Sequence, residues 1–80
     1  MTYLWQPERG IMIFRFQTDE RNVADKMKRR KYFKLIGYSH NSNLWVFVAP
    51  FYSPQKARKS LERLTGRKAK KDSLEGVYCA

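Results

Sequence analysis

Two short segments, Ile11-Met-Ile-Phe-Arg-Phe16 and Leu44-Trp-Val-Phe-Val48, place large rings at every second position. A period of two suits a pleated strand and not a helix, whose faces repeat every 3.6 residues. The chain is therefore bound to a sheet with two unlike faces. The aliphatic sides, Ile11/Ile13 and Leu44/Val46/Val48, suit a face covered by helices, which leaves Phe14, Phe16, Trp45 and Phe47 on an open face. The inverted register stays available on alternation alone, with Phe14 and Phe16 as core and Arg15 in solvent.

The punctuation around these segments orders the remaining elements. Gly10 precedes a first strand at about 11–17, and Thr18 reads as the N-cap of a helix at about 19–31, with Asp19 and Glu20 in its first turn. Residues 32–49 read as a β-hairpin turning at Asn41-Ser42-Asn43. Ser53-Pro54 is a strong helix start. Ala57, Leu61 and Leu64 follow on one stripe, and Gly66 stands where a left-handed C-terminal residue belongs. Residues 66–73 read as a basic connector, 74–79 as a short last strand, and 1–9 as an N-terminal arm or extra strand. The order β-α-β-β-α-β predicts a ferredoxin-like α+β two-layer sandwich, one antiparallel sheet with both helices on one face.

Eighty residues make one small domain, 1–80. Such a chain buries only about 60% of the surface it exposes unfolded. Seventeen Lys and Arg stand against seven Asp and Glu, a formal net charge of +10. An excess of that size implies an anionic partner: nucleic acid, an acidic protein surface or anionic lipid. Lys26, Lys28, Arg29, Arg30, Lys31 and Lys34 form the densest cluster, and Arg67 and Lys68 begin a second. Cations that neutralise phosphates, beside rings on which bases stack, are the ingredients of single-stranded nucleic-acid binding. The expected site is thus Phe14, Phe16, Trp45 and Phe47 flanked by Lys26, Arg29, Arg30, Lys31, Lys34, Arg67 and Lys68. RNA or a single strand is expected over sequence-specific duplex DNA, because no recognition helix is evident.

The same residues resemble two families of this topology. Phe14 is similar to the aromatic of the shorter strand motif of the RNA recognition motif, and Trp45 and Phe47 to the first two aromatics of its longer one. That resemblance implies base stacking on the first and third strands. Asn43-Leu44 stands where that family has a basic residue and Gly, and Pro50 replaces its last aromatic. Val46-Phe-Val-Ala-Pro-Phe51, followed by Ser53 and Ala57, resembles the strand-Gly-Pro-Phe-x-Ser-x-x-x-Ala signature of the SPOR domain, a peptidoglycan-binding module, with Ala49 in place of Gly. Both resemblances imply the topology more than the function.

Other chemistries find little in the sequence. Cys79 is the one cysteine, so neither a disulfide framework nor a zinc knuckle can form within the chain. His40 is the one histidine and sits at a turn, and the acids are scattered. No Gly-rich phosphate loop occurs. The expectation is a non-catalytic protein with no metal and no cofactor. The N-terminal segment lacks a basic region followed by an apolar run, and no apolar stretch approaches the roughly 20 residues that span a bilayer. With unbridged cysteine usage, this predicts a cytoplasmic protein without a membrane partner. The alternative function is a protein-binding adaptor or inhibitor that uses the open sheet face, as a homodimer in one variant.

Overall fold

The computed structural model describes all of residues 1–80. Eight elements follow one another: β1 (Thr2–Trp5), β2 (Ile13–Thr18), α1 (Arg21–Lys28), β3 (Lys34–Ser39), β4 (Leu44–Pro50), α2 (Pro54–Thr65), β5 (Lys70–Lys71) and β6 (Val77–Cys79). The strands form one six-stranded sheet in the order β3-β4-β2-β1-β6-β5, antiparallel at every neighbouring pair. Both helices contribute to one core cluster with the same face of the sheet. The architecture is a two-layer α+β domain. No helix is long and apolar enough to cross a membrane.

The two helices differ in how their ends are set. In α2, Ser53 Oγ accepts the Lys56 N–H at 3.2 Å, Pro54 opens the first turn, and Gly66 closes the helix at φ 69°. These are the ends expected from the sequence, because each depends only on residues within a turn of it. Helix α1 is shorter than expected, Arg21–Lys28 in place of 19–31. Its N-cap is Glu20, because Thr18 belongs to the last rung of β2. There Thr18 lies opposite Thr2 and Trp45, and its hydroxyl bonds that of Thr2 at 2.8 Å. Sheet pairing outcompetes the cap. At its other end α1 stops at Lys28, so Arg29, Arg30 and Lys31 lie beyond the helix, and Arg30 lies in the turn that leads into Phe33.

The N-terminal segment is a strand of the sheet interior. Strand β1 pairs with β2 on one side and β6 on the other. Strands β2 and β3 flank β4 and run parallel to each other across it, a split β-α-β unit with α1 as its crossover. Beside β2, where the four-strand order expects the last strand, the sheet holds β1. The C-terminal strand β6 is displaced outward, and Lys70-Lys71 of the expected connector pairs with it as β5. Thr2 and Ala80 exchange both backbone bonds at 2.9 Å, which ties the first strand to the last residue.

The face assignment is the inverse of the expected one. Phe14, Phe16, Trp45 and Phe47 are 2, 0, 6 and 1% exposed, whereas Ile11 and Ile13 are 46 and 45% exposed. Arg15 decides this. Burying an unpaired guanidinium costs several kcal/mol, against a difference of about 1 kcal/mol between burying Phe and burying Ile. Arg15 in solvent forces Phe14 and Phe16 inward. The register then carries β4 with β2, since Phe16 lies opposite Phe47 and Thr18 opposite Trp45.

Candidate nucleic-acid interface

The stacking platform expected on Phe14, Phe16, Trp45 and Phe47 does not exist, because these rings lie under the helices. Phe16 packs against Phe33 at 5.0 Å and Phe51 at 5.8 Å between ring centres. Phe14 meets Phe51 at 6.1 Å and Phe33 meets Phe47 at 6.4 Å. All five phenylalanines thus belong to one cluster, four of them buried and Phe51 half-buried against them, with mostly edge-to-face contacts. Trp45 is closed off at the sheet edge by Tyr38, stacked at 5.1 Å, and by the Lys28 ammonium 6.0 Å over its ring. The base-stacking role implied by the RNA recognition motif has no surface at these positions.

The basic cluster is dispersed by the fold. Lys26 Nζ donates to the Leu64 carbonyl at 3.3 Å, near the end of α2. Lys34 shares the open sheet face with Val48, on the other side of the sheet from the helices. Arg67 pairs with the Glu20 carboxylate and donates to the Ala80 carbonyl at 3.1 Å. The guanidinium holds the Glu20 carboxyl below its ordinary range, against the opposing effect of its partial burial. Lys26, Lys34 and Arg67 therefore have structural or separate positions, while Arg29, Lys31 and Lys68 point into solvent. Arg67 is also the one Lys or Arg that pairs with a carboxylate, so the other positive side chains keep an unpaired charge.

A different set of cations converges where the α1–β3 turn meets α2. A cleft of about 290 Å³ is lined by Arg30, Tyr32, Phe51, Lys56, Lys59, Ser60 and Arg63, with four cations and no acid. Helix geometry explains half of it. Lys56, Lys59, Ser60 and Arg63 fall at i, i+3, i+4 and i+7 along the flank of α2 beside its buried stripe. Arg30 comes from the turn after α1 and donates to the Tyr32 hydroxyl at 3.3 Å. Tyr32 is 46% exposed and stands edge-on to Phe51 at 5.8 Å, so the interior ring cluster reaches the surface here. Next to it Tyr52 is 91% exposed, with the Lys56 ammonium 5.7 Å over its ring. A second groove, in which Glu62 stands among Arg67 and Lys68, shares Lys59 and Arg63 with the cleft.

Of the expected site residues only Arg30 lines this cleft. Tyr32, Tyr52, Lys56, Lys59, Ser60 and Arg63 are not among the residues that the sequence marks as a site. The 3.6-residue spacing of Lys56, Lys59 and Arg63 was the available signal, and the core role of α2 masked it.

The open face of the sheet is apolar but not phenylalanine-rich. Tyr3, Trp5, Val46, Val48 and Val77 are half-buried on it, and Ile13 and Arg15 are exposed. Tyr3, Trp5 and Val77 border a depression of about 490 Å³ with Leu74. No family model, no curated protein and no solved structure matches this chain.

Proposed function

We propose that the protein is a small, non-catalytic nucleic-acid-binding module that takes RNA or another single strand across its helical layer. One observation carries the reading: four unpaired cations line one cleft without an acid, beside two exposed tyrosine rings. This restores both expected ingredients at a new place. Bases stack on Tyr32 and Tyr52, and the cations of α2 track the backbone towards Lys68. The split β-α-β unit and α2 support a ferredoxin-like scaffold in which β1 fills the slot of the fourth strand. The lone cysteine agrees with residence in the cytoplasm.

The test is a titration of fluorescent single strands and duplexes at about 50 and 200 mM salt, the range over which phosphate contacts change affinity most visibly. Tight, salt-dependent binding of the single strand is expected. Lack of binding at the lower salt refutes the proposal.

The open sheet face favours a second reading. An uncovered apolar surface of this kind marks an interaction site, and Tyr3 and Trp5 are residue types enriched at the energetic centres of interfaces. This is the adaptor or homodimer alternative. Its discriminator is solution mass: a stable dimer that ignores nucleic acid replaces the first reading with the second.

A further inference from the structure

Ser60 is an oddity of the core-facing helix surface. The residue is 6% exposed, and its Oγ is the one buried side-chain polar atom without a hydrogen-bond partner. A hydroxyl withdrawn from water and left unbonded is a cost that a fold normally avoids. It lies among the buried residues of α2, where Ala is the better helix former. The same residue lines the cleft with Arg30, Lys56, Lys59 and Arg63. The missing partner and the excess charge thus coincide in one place.

We infer that this cleft is a discrete phosphate-binding seat, in which Ser60 Oγ–H donates to a phosphate oxygen and the four cations neutralise its charge. A phosphate group offers strong acceptor oxygens and up to two negative charges, matching one unfilled donor and a ring of cations. The guanidinium groups of Arg30 and Arg63 supply bidentate geometry, and Lys56 and Lys59 act as point charges. Binding brings the phosphate to the hydroxyl through rearrangement of these long side chains. The inference rests on the single-strand reading above and gives one phosphate of that strand a defined position.

Ser60→Ala separates the seat from ordinary packing, because its effects on stability and binding have opposite signs. In chloride buffer the variant should melt at least about 4 °C higher than the parent, since it removes an unsatisfied buried group. Inorganic phosphate, titrated against chloride at matched ionic strength, should raise the parent melting temperature and shift the amide signals of residues 59–63. The variant should lose about tenfold in phosphate affinity, the size of one charge-assisted hydrogen bond. If the variant is no more stable than the parent and binds phosphate equally, the hydroxyl bonds the Lys56 carbonyl in solution and the seat is refuted.

Short strands with a 5′-phosphate or a 5′-hydroxyl distinguish the source of the group. Tighter binding of the phosphorylated strand, abolished in Ser60→Ala, assigns the seat to a terminal phosphate. Equal binding of both, with an equal loss in the variant, assigns it to the backbone. Strand binding untouched by Ser60→Ala overturns the seat while leaving the single-strand reading intact. Phosphate binding at Ser60 with no strand binding does the reverse.

Discussion

Phe16→Leu tests the inverted sheet most directly. The Phe16 ring is fully buried, with neighbouring rings at 5.0 and 5.8 Å. Replacing it by Leu removes apolar surface from the core and leaves a small void, a loss of about 1–2 kcal/mol. A domain of 80 residues has a total stability of roughly 4–12 kcal/mol, so the change is large but survivable. With a urea slope of about 1 kcal/mol/M for a protein this small, the midpoint should fall by about 1–2 M. Arg15→Gln, one residue away on the open face, should stay within about 0.5 kcal/mol of the parent. Urea unfolding followed by tryptophan fluorescence measures both. A silent Phe16→Leu together with a costly Arg15→Gln would falsify the face assignment and return Phe16 to the surface.

Four further outcomes are expected. Gly66→Ala should cost about 1–2 kcal/mol, because Gly66 holds a left-handed φ of 69° and an added methyl meets nothing within 4 Å, so the loss is purely conformational; a melting temperature unchanged within 1 °C, roughly a quarter of the smallest expected shift, contradicts it. Glu20, held below its ordinary 4.5 by Arg67, adds stability at pH values above that figure and loses it as pH falls through the lowered folded value. Urea midpoints should therefore drop as pH falls below about 4.5, and Glu20→Gln should flatten the pH profile there; a variant whose profile matches the parent removes the ion pair from the account. Lys59→Gln with Arg63→Gln should weaken strand binding for all sequences alike and flatten the log–log salt slope by about 0.7 for each phosphate no longer neutralised; an unchanged slope places the strand elsewhere. Tyr32→Ala should weaken binding by about 1–3 kcal/mol with little change in that slope, whereas a flattening equal to that of the charge variants would exclude stacking.

Local signals were readable one residue at a time. The ends of α2 came from Ser53, Pro54 and Gly66, whose preferences act within a single turn. The hairpin turn came from Asn41-Ser42-Asn43, and Asn43 adopts the left-handed φ of 52° that Asn tolerates. Thr18 misled because its hydroxyl has two uses, as a helix cap and as a partner for Thr2, and only the arrival of β1 chooses between them. Sites proved less legible than elements. Four rings read as a binding surface are core, and the cations that converge come from segments about thirty residues apart.

The α+β class, the strand-helix-hairpin-helix run and both ends of α2 were determined by the sequence alone, because periodicity and backbone preference are properties of short segments. The net charge, and with it the expectation of an anionic partner, was equally fixed by composition. Which face of the sheet became core was decided only in the tertiary structure, since strict alternation is symmetric between two faces. The cost of burying Arg15 breaks that symmetry once helices cover one side. The place of β1 between β2 and β6, and the meeting of Arg30 with Lys56, Lys59, Ser60 and Arg63, were decided there too. Strand neighbours and clefts are relations between distant segments, and no local pattern encodes them.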